Sequence, residues 1–268
     1  MIFGVKSPAG QITAEQGKAS TFICDELNIP KIDFEVRIFY PKKFSAMRKF
    51  YVGTHLDYIN SICKTKRWNA SGGKAGLGFY TSHDNKFVFK EVKQAEFDMF
   101  IEIAASYFDY LCKSFFHKFP CCLAKTIGAY IIVTRREGHP EKKTYILVSE
   151  NLNLGLKKED EANVIRFDLK GSENNRLATP QMQPDGSLER RVLLDNNFLY
   201  KMRARPVVLK WEDAINLHIC INNDLDCLSR MNIVDYSLLV VIDPRRKKIR
   251  FAILDYCQIY TMKKQLEY

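Results

Sequence analysis

Between residues 95 and 116 the chain places Phe97, Phe100, Ile101, Ala104, Phe108, Leu111 and Phe115 three or four positions apart, the spacing that lines one face of an α-helix. The flanking segments carry a different period. Asp33 to Tyr40 alternates Phe34, Val36 and Ile38 with Asp33, Glu35 and Arg37, the pattern of a half-buried strand. Phe79-Tyr80-Thr81 and Phe87-Val88-Phe89-Lys90 are short apolar runs around the turn chemistry of His83-Asp84-Asn85, which predicts a hairpin. Two more strand-like runs, 128–134 and 144–149, enclose the loop Glu137-Gly138-His139-Pro140. The first half of the chain therefore reads as strands plus one long helix. Pro41 opens a shorter helix carrying Phe44, Met47 and Tyr51, since proline suits a first helical turn.

The second half reads differently. Ile165–Leu169 is a short strand ending in Lys170-Gly171-Ser172, and residues 173–190, with Pro180, Pro184 and Gly186, predict a loop. A helix from about 211 to 230 carries Ala214, Leu217, Ile221, Leu225 and Leu228. Ser237–Ile242 and Ile249–Leu254 are apolar strands around Asp243-Pro244-Arg245-Arg246. Residues 1–31 are mixed and receive no assignment, and no internal repeat is present.

Composition narrows the function classes. With 268 residues and 46% hydrophobic content the chain can bury a sizeable core, as one large domain or two small lobes. The net charge of +10 suits an anionic partner: nucleic acid, an acidic lipid surface or a phosphorylated substrate. It is equally what a plain basic surface shows. Eight cysteines form no C-x-x-C, and no histidine is spaced to complete a zinc site. Several lie in apolar runs such as Ile219-Cys220-Ile221, so free thiols in a reducing cytosol are expected. The first residues lack the apolar stretch of a signal peptide. No apolar run approaches the ~18 residues needed to span a bilayer, so contact with a membrane is expected to be peripheral.

The chemistry-bearing residues fall in order along the chain. Ser71-Gly72-Gly73-Lys74-Ala75-Gly76-Leu77-Gly78 can bring backbone N–H groups close to phosphate because glycine has no Cβ. It does not match the P-loop pattern, and alone it is equally an ordinary turn. Lys90 ends the second hairpin strand, and Glu96 begins the long helix six residues later. A kinase needs a strand lysine on the α/β-phosphates and a helix glutamate to orient it; a lone strand lysine is more often a solubilising charge. Asp168, Asp235 and Asp255 each sit at the edge of an apolar run. One such aspartate is usually a cap or turn residue. Three of them, downstream of the glycines and the Lys–Glu pair, read as a magnesium and base constellation. The five histidines form no metal pattern and serine-nucleophile motifs are absent.

Gly72-Gly73-Lys74-Ala75-Gly76, Phe167-Asp168-Leu169-Lys170-Gly171-Ser172, Asp235-Tyr236-Ser237-Leu238-Leu239 and Leu254-Asp255-Tyr256, in this order, resemble the phosphatidylinositol phosphate kinases. Trp68 before the glycines, Asn175-Arg176 after Lys-Gly-Ser, and Val148-Ser149-Glu150-Asn151-Leu152 resemble the type III branch, the FYVE-type phosphatidylinositol 3-phosphate 5-kinases. The resemblance runs from about residue 32 to the C-terminus. It implies an α+β, two-lobed phosphatidylinositol phosphate kinase fold, a distant relative of protein kinases built of antiparallel sheets with packed helices. The expected N-lobe is 32–150 and the C-lobe 151–268, with 1–31 as a leader.

The resemblance also implies roles. Gly72, Gly73, Lys74 and Gly76 would cover the ATP phosphates, Lys90 would bind them, and Glu96 would be its partner. Asn151 and Leu152 would flank the adenine, Lys170 would contact the γ-phosphate, Asp235 would be the catalytic aspartate, and Asp255 would hold Mg²⁺. The implied substrate is a phosphoinositide, most like phosphatidylinositol 3-phosphate taken at its 5-hydroxyl, on cytoplasmic endosomal or other endomembranes. Arg245, Arg246, Lys247, Lys248, Lys263 and Lys264 are the candidate contacts to an anionic membrane, although Arg245–Lys248 also reads as a charged hairpin turn. Ala75 stands where the family usually has Ser, and the chain reaches Tyr268 early in the segment that resembles the activation loop, so a truncated C-lobe is expected. A catalytically inactive scaffold or nucleotide-binding module of the same family is the alternative. The absence of His-Arg-Asp and Asp-Phe-Gly disfavours a protein kinase, and nucleic-acid binding rests on charge alone.

Overall fold

The computed structural model describes residues 15–18 as backbone, then 32–67, 78–156, 163–179 and 192–259. The chain divides into two compact units. Among the described residues, the first holds β1 (Glu15–Lys18), β2 (Ile32–Ile38), α1 (Pro41–Tyr51), α2 (His55–Ile62), β3 (Thr65–Arg67), β4 (Phe79–Ser82) and β5 (Phe87–Val92). Helix α3 (Gln94–His117) begins in this unit and continues in the second, and β6 (Thr126–Arg136) and β7 (Lys142–Glu150) return to the first. The second unit holds β8 (Ile165–Leu169), α4 (Asp195–Ala204), α5 (Trp211–Arg230), β9 (Ile233–Val234), β10 (Ser237–Asp243), β11 (Lys248–Leu254) and β12 (Gln258–Ile259). The arrangement is α+β.

In the first unit the strands form one antiparallel sheet in the order β1-β2-β6-β7-β5-β4-β3. Its buried side chains include Phe39, Phe44, Phe87, Phe97, Ile127 and Val148. Phe39 meets Phe97 edge-on at 5.1 Å, and Tyr145 lies 5.4 Å from Phe97, so the expected helix face enters the core where its pattern begins. Pro41 occupies the start of α1 and buries Phe44 and Met47, whereas Tyr51 stays exposed. Buried Arg48 donates to the Ile127 carbonyl at 2.8 Å and stacks over the Tyr58 ring at 4.3 Å. In β2, Phe34 is half exposed although the alternation placed it with Val36 and Ile38; β2 runs Phe34 opposite Thr134, near the open end of β6.

Sequence periodicity did not predict α2, yet a local device sets it. Thr54 Oγ1 accepts the Asp57 N–H at 3.1 Å while Asp57 Oδ2 accepts the Thr54 N–H at 2.9 Å, a capping box that satisfies otherwise orphaned donors at the helix start. Strand β3 was also unexpected. It pairs with β4, Arg67 opposite Tyr80, so the glycine-rich segment connects two paired strands.

In the second unit, β11-β10-β8 form a three-stranded antiparallel sheet and β12-β9 a two-stranded one. Phe100, Ala104, Tyr107 and Leu111 of α3 are buried there with Leu123, Phe167, Ile253 and Tyr256. Tyr107 and Tyr256 stack at 5.8 Å, and the Tyr256 hydroxyl donates to the Ala124 carbonyl. Helix α5 spans the expected residues, but its buried face is Cys220, Asp224 and Leu228. Of the expected apolar set only Leu228 is fully buried, and the others are half-buried. The register of the helix is therefore set by a polar anchor, Asp224, rather than by the apolar stripe alone.

Candidate active site

In the first unit, Lys90 lies on β5 between Phe79 of β4 and Leu147 of β7. Its ammonium donates to Glu96 Oε1 at 2.7 Å. Glu96 sits in the first turn of α3, where the helix dipole favours a carboxylate. The strand does not end at Lys90 but runs on to Val92, and it is joined to the helix start by one charge-assisted hydrogen bond, with both side chains only partly exposed. Glu91 holds the near end of the glycine-rich connection. The Gly78 N–H donates to Glu91 Oε2 at 3.1 Å, and the Glu91 N–H donates to the Gly78 carbonyl at 2.9 Å. A Cβ at Gly78 would lie 2.7 Å from the Tyr80 ring and 2.8 Å from the Glu91 carboxylate, so any other residue here would push those two side chains aside. Gly72, Gly73, Lys74 and Gly76 themselves lie outside the described residues, as do Lys263 and Lys264.

Beyond β7, the Asn151 N–H donates to the Lys86 carbonyl and its side-chain amide to the Asn85 carbonyl, both at 2.8 Å. The Leu152 carbonyl accepts from Arg250 at 2.6 Å. These groups are engaged in holding the β4–β5 turn and the β11 strand in their respective units.

In the second unit, strand register assembles the other candidates. Ser237 pairs with Leu254 and Leu238 with Leu169. Asp235 lies just before β10, Asp255 just after β11 and Lys170 just after β8, so all three project from one end of the sheet. The Lys170 ammonium reaches the Asp235 carbonyl at 3.1 Å and Asp235 Oδ1 at 3.3 Å. Asp235 and Asp255 have φ of 65° and 58°, the left-handed region that non-glycine residues seldom adopt and that clusters at functional sites. Each is held there by its neighbours. β9 ends at Val234, which pairs with Gln258 of β12, and buried Tyr256 follows Asp255.

The residue that organises this end is one the sequence reading passed over. Asp195, buried at the start of α4, accepts the N–H groups of Lys170 at 3.0 Å and Gly171 at 2.9 Å on one oxygen. Its other oxygen accepts Arg176 Nε at 2.7 Å. Arg176 also donates to the Asp168 carboxylate at 3.2 Å. Burial alone would raise the Asp195 pKa, but the Arg176 guanidinium and the two N–H donors outweigh it and hold the carboxyl below its usual range. Asp168, grouped by sequence with Asp235 and Asp255, is thus tied into a supporting ion-pair network. The one available clue was an Asp three residues before Phe198, in a segment otherwise without strong periodicity.

A cavity of about 490 Å³ adjoins the Lys170–Glu173 turn, with Asp195 beside it and Phe198, Leu199, Ile221 and Leu225 among its walls. These half-buried faces of α4 and α5 explain why the apolar stripe of α5 is not packed shut.

Two groups of residues could be considered for a metal. A hard divalent cation such as Mg²⁺ takes oxygen ligands, and the Asp255 carboxylate is exposed at the sheet end next to the Lys170–Asp235 pair; these donors fit. Among the described residues, Cys122, Cys220 and Asp224 also lie close together. Here two of the three donors are soft thiols. The fully buried Asp224 carboxylate already accepts Tyr110 O–H, Cys122 N–H at 2.6 Å and Cys220 S–H at 3.7 Å. The thiol of Cys122 is pushed up by its hydrogen bond to Cys220, by burial and by Asp224, and Tyr110 is pushed up by burial and Asp224. This cluster reads as a buried hydrogen-bond anchor for α5 and does not fit Mg²⁺.

Of the expected membrane contacts, Arg245–Lys247 lie in the β10–β11 turn and Lys248 opens β11 opposite Asp243. The Arg246 N–H donates to Asp243 Oδ1 at 3.1 Å, and its guanidinium donates to the Gly155 carbonyl at 2.5 Å. Lys247 adopts φ 51°. Arg246 thus secures the hairpin, while Arg245, Lys247 and Lys248 are exposed.

Comparison with known proteins bears on this arrangement. The family model described as Phosphatidylinositol-4-phosphate 5-Kinase matches residues 62–250. The chain is 35% identical over 239 residues to 1-phosphatidylinositol-3-phosphate 5-kinase FAB1B of Arabidopsis thaliana, covering 88% of this chain and 13% of that protein. It is 35% identical over 238 residues to 1-phosphatidylinositol 3-phosphate 5-kinase of Homo sapiens, covering 87% and 11%. With 1-phosphatidylinositol 3-phosphate 5-kinase FAB1 of Saccharomyces cerevisiae it shares 33% identity over 233 residues, covering 86% and 10%. The chain therefore spans only a small fraction of the length of these relatives. With Lys90 paired to Glu96, Lys170 paired to Asp235, and a family model matched over most of its length, the chain belongs to the phosphatidylinositol-4-phosphate 5-kinase family.

Proposed function

We propose that this chain is the catalytic segment of a lipid kinase that transfers the γ-phosphate of ATP to a phosphatidylinositol monophosphate, specifically to the 5-hydroxyl of phosphatidylinositol 3-phosphate. The observation that carries the reading is the Lys170–Asp235 pair, with Asp255 at the same sheet end. Support for the particular lipid comes from the names of the three relatives.

The roles follow from charge and reach. Lys90, oriented by Glu96, neutralises the α/β-phosphate oxygens, with Gly72, Gly73, Lys74 and Gly76 covering the phosphates. Asn151 and Leu152 flank the adenine. Lys170 neutralises charge on the transferred phosphoryl group, and Asp235 accepts or orients the proton of the attacking inositol hydroxyl. Asp255, with an oxygen ligand and no competing sulfur, would hold Mg²⁺, whose chemistry is charge neutralisation on the phosphates. Catalysis of this kind is positioning plus electrostatic stabilisation, which is what a turn locked by Asp195 supplies. The lipid is met at the bilayer surface, on cytoplasmic faces of endomembranes; no helix among the described residues is long and apolar enough to cross a membrane. The two lobes are proposed as 32–150 and 151–268, with residues 98–124 grouping with the second compact unit.

The test offers each phosphatidylinositol monophosphate separately in vesicles with radiolabelled ATP and Mg²⁺. Labelled bisphosphate from the 3-phosphate lipid is expected. Bound ATP with no labelled product from any lipid would replace this reading with a nucleotide-binding scaffold.

A further inference from the structure

Helix α4 and the start of α5 expose more apolar and cationic surface than folding requires. Leu199 lines the cavity beside Lys170, and the next residue, Tyr200, is 64% exposed. Val208, in the connection to α5, is 85% exposed, and Trp211, the first residue of α5, is 78% exposed. Ile215 and Ile219 follow Trp211 at four-residue intervals and are exposed as well, so they continue its helix face. Interleaved with the apolar residues are Lys201, Arg203, Arg205 and Lys210, all exposed, and no described residue forms an ion pair with them. Glu212 and Asp213 lie in the first turn of α5. There the helix N-terminus is their favourable neighbour; at about 100° per residue Asp213 lies on the far side of the helix from Trp211, while Glu212 borders the Ile215 and Ile219 side.

An aromatic and apolar set interleaved with unpaired cations is the chemistry of a bilayer interface. Tryptophan and tyrosine settle at headgroup depth, and each cation near an anionic surface adds attraction. A protein partner would need acidic and apolar groups matched in shape, whereas a bilayer supplies both without matching. We infer that the α4–α5 corner, Tyr200 to Trp211 with Ile215 and Ile219, seats this protein on an anionic membrane. This rests on the reading that the substrate is a membrane lipid, and it places the contact on a different surface from the Arg245–Lys248 segment. Helix α4 links the two tasks. Its first residue, Asp195, holds the Lys170–Gly171 backbone, and its last turn carries Arg203, about 12 Å along the axis. Seating the corner therefore sets the height of Lys170 above the headgroups.

The test measures partition of the protein by co-sedimentation with phosphatidylcholine vesicles made with and without phosphatidylserine. A water-soluble, short-chain phosphatidylinositol 3-phosphate is assayed alongside as substrate. Wild-type protein is expected to bind the phosphatidylserine vesicles, with Trp211 fluorescence quenched by brominated lipid. Arg203→Ala with Arg205→Ala should lower partition roughly 30-fold, from about 1 kcal/mol per cation. Val208→Ser with Trp211→Ala should abolish the binding that survives high salt. Both variants should keep turnover on the soluble substrate and lose it on vesicles. Unchanged partition in both variants would overturn the inference. So would normal binding by them while Arg245→Ala with Lys247→Ala abolishes it, or a change in their sedimenting mass in place of vesicle binding. Corner-dependent partition without turnover on the soluble lipid would support the anchor and refute the kinase reading, so the two failures are distinguishable.

Discussion

Asp195→Ala is the perturbation that most directly tests how the second unit is held together. The carboxylate accepts Lys170 N–H, Gly171 N–H and Arg176 Nε and is buried. Its removal strands two backbone donors and leaves Arg176, whose side chain is only 17% exposed, with Asp168 as its remaining carboxylate. Removing one partner of such a pair costs about 3–5 kcal/mol, which would lower the melting temperature by roughly 6–20 °C in a chain of this size. The pH dependence has a defined sign. The folded-state pKa of Asp195 is depressed, so its contribution is fully present above the ordinary aspartate value of 3.8 and is lost as pH falls through the folded value. Stability curves of wild type and variant should converge in acid and separate towards neutrality. Activity should fall by about 10²-fold through misplacement of Lys170, in kcat rather than in the KM for ATP. Thermal unfolding measured from acid to neutral pH, with steady-state kinetics, checks all three. A variant that melts within a degree or two of wild type at neutral pH and keeps its kcat would refute the assignment of Asp195 as the holder of the turn.

Lys90→Met should lower kcat/KM by about 10²–10³-fold, as loss of an electrostatic stabiliser does. Its stability should change by no more than about 1 kcal/mol because the pair is partly exposed; denaturant titration and initial rates separate the two. Asp235→Asn should cut turnover by roughly 10²–10⁴-fold with unchanged circular dichroism, and normal turnover would remove Asp235 from its role. Gly78→Ala should destabilise the first unit, since its Cβ would press within 2.8 Å of Tyr80 and Glu91; a melting temperature equal to wild type would show that the strands can part. Thiol titration at mildly alkaline pH should label the exposed Cys63 and Cys112 and spare Cys122 and Cys227, the latter pushed up to about 11 by burial and Asp224. Rapid modification of Cys122 would contradict the buried anchor around Asp224.

Much of this protein was legible without coordinates because the relevant physics is local. The Phe97–Leu111 stripe, the hairpin turn at His83-Asp84-Asn85 and the strand ending in Lys170 are each decided by period and turn chemistry within a few residues. Lys90 and Glu96 were also readable, since only a short connection separates the strand that carries Lys90 from the first turn of the helix that carries Glu96. Other features depended on residues distant in sequence. Asp195 meets Lys170 across a gap of 25 residues, and Asp224 meets Cys122 across 102, so no local pattern marks either aspartate. The same holds for burial on α5, where a hydrogen-bonded carboxylate claimed the inner face and left part of the apolar stripe to a cavity and to the surface. Sequence specifies which residues can carry charge, turn or pack; only the tertiary fold decides which buried carboxylate finds its donors and which apolar side chains remain outside.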